Sequence, residues 1–202
     1  MEGLEVYKTL SQKSPMTIFK EKGSKFIGYA FPVSDASEVK VAIAAVKKEH
    51  HSARHWCYAW RIGTGPFQYR ANDDGEPSNS AGQPIYGQIL AADVTNVLVV
   101  VVRYFGGVKL GVGGLIRAYK ESAQLTLADS HVVEKAVEYN LELVFDYAYM
   151  NIIMRIIKQK KLSVKSQHLS DKCNLILNVN KGHFEEVKKL FENLHFLVLK
   201  SS

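Results

Sequence analysis

Residues 103–119 read RYFGGVKLGVGGLIRAY. The run that leads into them, NVLVVVVRYF, is apolar without alternation, which predicts a strand buried on both faces. From Gly113 to Ala128 the period changes. Leu115, Tyr119, Ser122 and Thr126 fall on one row and Ile116, Ala123 and Leu127 on another, the spacing of a helix. The stretch is therefore strand, glycine turn, helix. Glycine fills five of the nine positions from Gly106 to Gly114, and Arg103, Lys109 and Arg117 bracket them. Unpaired N–H groups at a helix start, preceded by bare glycine backbone, form an anion-binding nest. Lys109 adds a mobile cation and Arg103 a fork that fits phosphate or carboxylate. The expected anion site comprises Arg103, Gly106, Gly107, Lys109, Gly111, Gly113, Gly114 and Arg117. The alternative is that the glycines only let helix and strand pack closely. The turn is not a P-loop, and Ile116 stands where a dinucleotide fingerprint needs its third glycine.

Upstream, SPMTIFKEKGSKFIGYAFPV holds two β-rich runs about the turn Lys22-Gly23-Ser24, a hairpin. In SDASEVKVAIAAVKKEHH, Asp35 caps a helix and Glu38 completes a capping box, with Val39, Ile43 and Val46 inward. HWCYAWRIG and FQYRAND form a second hairpin, and PIYGQILAAD a short helix with Ile85, Ile89 and Ala92 on one face. Near residue 138 the pattern restarts. YNLELVFD is a strand, and YAYMNIIMRIIKQKK a helix with Ile152, Ile153, Ile156 and Ile157 inward. Two strands, a helix and a last strand follow. The order β-α-β-β-α-β is the split arrangement of ferredoxin-like domains. The chain is expected to be α+β, with domains 1–137 and 138–202.

Between the second hairpin and the short helix lies DDGEPSNSAGQP, a loop by its turn residues. Its carboxylates Asp73, Asp74 and Glu76 are a possible acidic site, able to hold a hard cation or move a proton. A solvated turn explains them equally. His51, His55 and Cys57 lack a second ligand pair, so no metal is expected and His55 is kept as an accessory group. Lys158, Lys160, Lys161 and Lys165 are a candidate nucleic-acid contact, or a helix end complementing its dipole.

The formal net charge is +6 over 202 residues. Residues 1–138 hold 16 Lys/Arg and 14 Asp/Glu, and residues 139–202 hold 10 and 6, so most of the excess lies in the last third. A modest basic balance favours polyanions as partners. The two cysteines, Cys57 and Cys173, read as buried thiols rather than a disulfide. No apolar run reaches the ~20 residues of a membrane span. The opening MEGLEVYKTL lacks the pattern of a signal peptide, so a cytoplasmic protein is expected.

Asp73-Asp74-Gly75-Glu76-Pro77-Ser78, Ala81-Gly82, Pro84, Arg103-Tyr104-Phe105-Gly106-Gly107, Lys109-Leu110-Gly111, Gly113-Gly114-Leu115 and Arg117-Ala118-Tyr119 together form a specific pattern. With His55, Cys57, Tyr58 and Ala59, it resembles the Impact/YigZ family over nearly the whole chain. Asn79-Ser80 stands where Gly-Thr is usual, Gln83 where Arg is common, Trp56 where Asn is common and Val112 where Thr is usual. The resemblance implies a first domain like domain 2 of ribosomal protein S-five and a second like the last domain of elongation factor G. Eukaryotic Impact proteins regulate translation initiation by binding the activator of the amino-acid-starvation kinase, aided by an additional N-terminal domain. The two-domain chain is similar to the bacterial branch. The expected function is regulatory binding of RNA or the translation apparatus, without covalent chemistry and without a cofactor, as a monomer. The alternative is an enzyme on a phosphorylated or carboxylated small molecule, held between the DDGEP and GGVKLGVGG loops.

Overall fold

The computed structural model describes residues 5–201. The reading of the N-terminus rests partly on residues 1–4, which lie outside the described residues. Tyr7–Lys135 form one compact unit. The chain from Ala136 onward, with the described residues before Tyr7, forms the other. The expected boundary lay at residues 137 and 138. The contacts put it slightly earlier and place Glu5 and Val6 with the later unit. The Val137 N–H donates to the Glu5 carbonyl at 2.8 Å, and Lys181 reaches the Glu5 carboxylate at 2.7 Å.

The first unit is built on its most apolar strand. Strands β1 (Val6–Leu10), β2 (Thr17–Glu21) and β3 (Ser24–Pro32) precede helix α1 (Ala36–Glu49). Then come β4 (His55–Ile62), β5 (Gln68–Asn72), α2 (Gly82–Ala91), β6 (Val97–Tyr104), α3 (Gly111–Ala128) and β7 (Val132–Ala136). Five strands form an antiparallel sheet in the order β2-β3-β6-β4-β5, with β6 central. Every side chain from Val97 to Val102 is fully buried. Val97, Val99 and Val101 pack with α2 and α3, and Leu98, Val100 and Val102 with α1. A buried aliphatic side chain contributes roughly 1.5–3 kcal/mol, so β6 fastens both layers at once.

β1 and β7, which the sequence reading did not assign, pair as a separate two-stranded sheet. Each is short; β7 is mostly exposed and β1 buries only Thr9 and Leu10 at its end, so neither shows the alternation that marks a strand. Asp35 caps α1 through the N–H groups of Ser37 and Glu38, and the Ser37 hydroxyl, with those N–H groups, holds its carboxyl below the usual range. Glu38 reaches back to the N–H and hydroxyl of Ser34 rather than to the cap, so the expected box closes one residue early. Ala92, on one face with the buried Ile85 and Ile89, and Ile116, on one row with the buried Ala123 and Leu127, are exposed.

The second unit contains β8 (Glu138–Asp146), α4 (Met150–Gln159), β9 (Ser163–His168), β10 (Lys172–Asn180), α5 (Phe184–Glu192) and β11 (Leu197–Ser201). The sheet order is β11-β8-β10-β9, antiparallel throughout. This is the expected β-α-β-β-α-β arrangement. Ile153 and Ile157 of α4 and Phe184, Val187 and Phe191 of α5 cover Leu141, Leu143, Leu175 and Leu177. Ile152, expected inward, is exposed, because two residues of each turn suffice to face a sheet. The expression of residues 136–202 alone tests whether this core is self-sufficient. A single cooperative thermal transition by circular dichroism is expected, and a fragment unfolded in buffer would refute independent folding.

Candidate functional site

The glycine turn joins β6 to α3 at one end of the five-stranded sheet. The starts of β3 and β4 lie at the same end, since Lys25 pairs with Tyr104 and His55 with Arg103. Gly106 sits against the β2–β3 turn. A Cβ there would meet the Gly23 carbonyl carbon at 1.9 Å and the Ser24 nitrogen at 2.2 Å. The Gly106 N–H donates to the Ser24 hydroxyl at 3.1 Å, stitching the two turns together. Gly107 and Gly111 have φ of +87° and +71°, where a side chain is strained. Three of the five glycines thus serve the backbone itself. Gly113 stands in open space with ordinary backbone, and Gly114 touches only the Leu110 Cβ. Helix α3 opens at Gly111, not Gly113, with no side-chain cap on its first N–H groups.

The cations of this stretch are put to different uses. Arg103 is buried and bonds the Glu76 carboxylate at 2.7 Å. The side chain of Glu76 is only 4% exposed. Tyr119 of α3 donates to the same carboxylate oxygen at 2.8 Å, and the Cys57 thiol lies 3.3 Å from the Tyr119 hydroxyl. A polar chain, Cys57–Tyr119–Glu76–Arg103, therefore crosses the core from β4 to β6. Burial pushes the Tyr119 hydroxyl and the Cys57 thiol far above their ordinary values. The expected free fork at Arg103 is instead half of a buried ion pair. Arg117 is exposed and pairs with Glu21 at 3.3 Å. Lys109 is exposed and, among the described residues, has no ion-pair partner.

The three carboxylates of the acidic loop also diverge. Asp73 accepts from the N–H groups of Asn79, Ala81 and Gly82 at 2.8–2.9 Å, capping α2 from outside the helix. Asp74, at φ +43°, accepts from the Trp56 N–H at 2.8 Å and faces Lys47 at 3.6 Å. Glu76 points inward. Among the described residues no three His, Cys, Asp or Glu side chains are grouped to hold a metal ion. His55 donates from Nδ1 to the Asp74 carbonyl at 3.0 Å, which leaves Nε2 as an acceptor.

Two cavities open at this end of the sheet and share Tyr104 and Phe105 in their linings. One, of about 530 Å³, is lined by Ser52, Arg54, His55, Arg103, Tyr104 and Phe105. The other, of about 440 Å³, is lined by Gly23, Lys25, Ile27, His50, Tyr104 and Phe105. Phe105 is 59% exposed, and the Arg103 guanidinium lies 5.6 Å from its ring centre. His50 is held by Tyr104 at Nδ1 (3.0 Å) and by Tyr29 at Nε2 (2.7 Å). Tyr29 donates to Glu49, so its oxygen accepts from His50. Lys22, Lys25, Arg54, Phe105 and the His50 chain escaped the sequence reading. Antiparallel register, not sequence proximity, brings them together. A large aromatic just beyond a buried strand was the one available signal.

In the second unit the lysine cluster is partly engaged. Lys160 pairs with Glu186 at 3.6 Å, and Lys165 bonds the Asn140 side chain at 3.2 Å. Lys160 and Lys161 line a cavity of about 380 Å³ that also contains Glu138 and Glu186. Lys158 lies in the last turn of α4. The face of the sheet away from the helices carries Asn140, Glu142 and Val144 from β8, Asn174, Ile176 and Asn178 from β10, and His168 of β9 opposite Asn174, with no Phe, Tyr or Trp among the described residues.

Two outcomes test this geometry. Glu76→Ala leaves Arg103 buried without a partner, which costs about 3–5 kcal/mol. The urea midpoint, followed through Trp56 and Trp60 of the same unit, should fall accordingly, and the pair Glu76→Leu with Arg103→Met should recover much of it. Separately, iodoacetamide at pH 8 should leave Cys57 unmodified in the native protein and label it after unfolding, because the thiolate is disfavoured by burial. Rapid native labelling would contradict the buried placement.

Comparison with known proteins accords with this architecture. The family model described as the Impact N-terminal domain matches residues 22–127. The IMPACT family member YvyE of Bacillus subtilis (strain 168) is 36% identical over 168 residues, covering 83% of this chain and 77% of YvyE. An IMPACT family member of Haemophilus influenzae is 32% identical over 174 residues, covering 83% of this chain and 84% of that protein. A solved structure described as a crystal structure of a hypothetical protein matches with a TM-score of 0.76 at 25% identity, covering 98% of each chain. From residue 22 to the end of α3, and by identity over most of its length, the chain belongs to the IMPACT family.

Proposed function

We propose that the chain is a non-covalent regulatory binder of RNA in the translation apparatus, and that the contact lies at the glycine-turn end of the five-stranded sheet. Translation as the setting rests on the family resemblance. The location rests on one observation: Lys25 and Arg54 line the cavities beside Phe105, Lys22 and Lys109 lie in the two adjoining turns, and all four are exposed and, among the described residues, have no carboxylate partner. Cations of this kind attract a phosphate backbone, and an exposed aromatic offers a base a stacking surface. The buried groups of the acidic loop support a binder over an enzyme. Asp73 is committed to a helix end, Glu76 to Arg103, and the Cys57 thiol is held protonated. Among the described residues no hydroxyl or thiol is hydrogen-bonded to His55.

The tail lysines remain a second nucleic-acid surface in this reading, subordinate to the first. Glu186 and Glu138 offset part of their charge, and among the described residues the open sheet face carries no Phe, Tyr or Trp on which a base could stack. Fluorescence anisotropy with a labelled single-stranded RNA decides between the two surfaces. Replacing Lys25, Arg54 and Lys109 by Gln should weaken binding and reduce the slope of log affinity against log salt by ~0.7 for each lost phosphate contact. Replacing Lys158, Lys160, Lys161 and Lys165 by Ala should change it less. The reverse ranking would move the site to the second unit, and absence of binding by the unaltered protein would end the RNA reading.

A further inference from the structure

We infer that Phe105 is a wedge that enters a single strand between two consecutive bases and seats one base in each of the cavities beside it. This deepens the proposed RNA reading and rests on it. The inference starts from the juxtaposition itself. Phe105 contributes to both cavities, and so does its neighbour Tyr104, while every other lining residue named above belongs to one cavity alone. The partition between the two spaces is therefore the end of β6. Each volume, about 530 Å³ and about 440 Å³, lies in the ~300–1,000 Å³ range of small-ligand sites.

The two sides have matching provisions. On one, Arg54 supplies a cation and His55 a ring edge whose Nε2 is an acceptor. On the other, Lys25 supplies a cation and Ile27 an apolar surface, beside the His50 ring. Lys25 of β3 pairs with Tyr104, and Arg54 directly precedes β4, whose His55 pairs with Arg103, so a backbone crossing over Phe105 meets a positive charge before and after the wedge. The wedge is held from below. The Arg103 guanidinium lies against its ring, and Glu76 fixes Arg103. A ring anchored in this way loses little freedom when a base stacks on it. An A-form duplex presents no free base faces and cannot take the wedge, so the occupant is a single strand.

The test uses short RNA strands in which most bases are removed but the ribose-phosphate backbone is kept. One strand carries two adjacent bases, a second carries the same two bases separated by an abasic residue, and a third is wholly abasic. For the full chain, the adjacent pair should bind more tightly than the abasic strand by at least about fivefold, the lower end of what aromatic stacking contributes per base. The separated pair should fall between them. In Phe105→Ala the three strands should bind alike, and Phe105→Tyr, which keeps the ring, should restore their order. Phe105 is mostly exposed, so these variants fold, which circular dichroism verifies. If the unaltered protein binds all three strands equally but still depends on Lys25 and Arg54, the wedge is wrong while the RNA reading stands. If a duplex binds as well as the single strand, the wedge is also wrong. If no strand binds, both fail.

Discussion

The buried ion pair between Arg103 and Glu76 is the constraint on which the rest of this site depends. A guanidinium at the end of a central strand is costly to bury unless a carboxylate meets it with its remaining oxygen valence satisfied. Here one oxygen of Glu76 takes both the Arg103 N–H and the Tyr119 hydroxyl. The acidic loop is thereby drawn onto the sheet, α3 is tied to β6, and Tyr119 in turn meets Cys57 of β4. The same guanidinium lies between the rings of Phe26 in the core and Phe105 at the surface. A single buried charge pair thus connects the acidic loop to the most exposed aromatic of the glycine turn.

The glycine turn has a different meaning once its neighbours are known. Gly106 allows the turn to touch the β2–β3 hairpin backbone, and Gly107 and Gly111 permit the positive φ that reverses the chain into α3. Their combined effect is to end β6 and leave Phe105, Val108 and Lys109 exposed, with Phe105 between the cavities that Lys25 and Arg54 line. The turn thereby shapes the surface at this end of the sheet. The acidic loop behaves in the same way: Asp73 makes up for the missing cap of α2, whose own first position, Ala81, has no side chain able to accept.

The elements that carry a strong period were legible in the sequence. The unbroken aliphatic run of β6, the rows of α3 and the restart after residue 137 are each dictated by which faces must be dry. β1 and β7 were not legible, because two short strands paired only with each other, one mostly exposed and one buried only at its end, carry no alternating apolar pattern. The site was legible in its residues and not in their partners. DDGEP and the glycine turn stand out by composition, yet nothing local in sequence says that Glu76 reaches Arg103 across 27 positions. Nor can it say that Asp73 belongs to a helix end while Asp74 faces Lys47. Those pairings are set by sheet register and by the depth of each side chain.

RNA contact is proposed at the end of the sheet where Lys25 and Arg54 flank the exposed Phe105 ring, with the tail lysines in a lesser part. Ultraviolet crosslinking of the full chain to a uridine-rich single strand, read by peptide mass spectrometry, tests that placement most directly. The account predicts adducts within residues 22–27, 50–56 and 103–109, with Phe105 the principal position. Adducts confined to residues 158–168, with none at the end of β6, would contradict it.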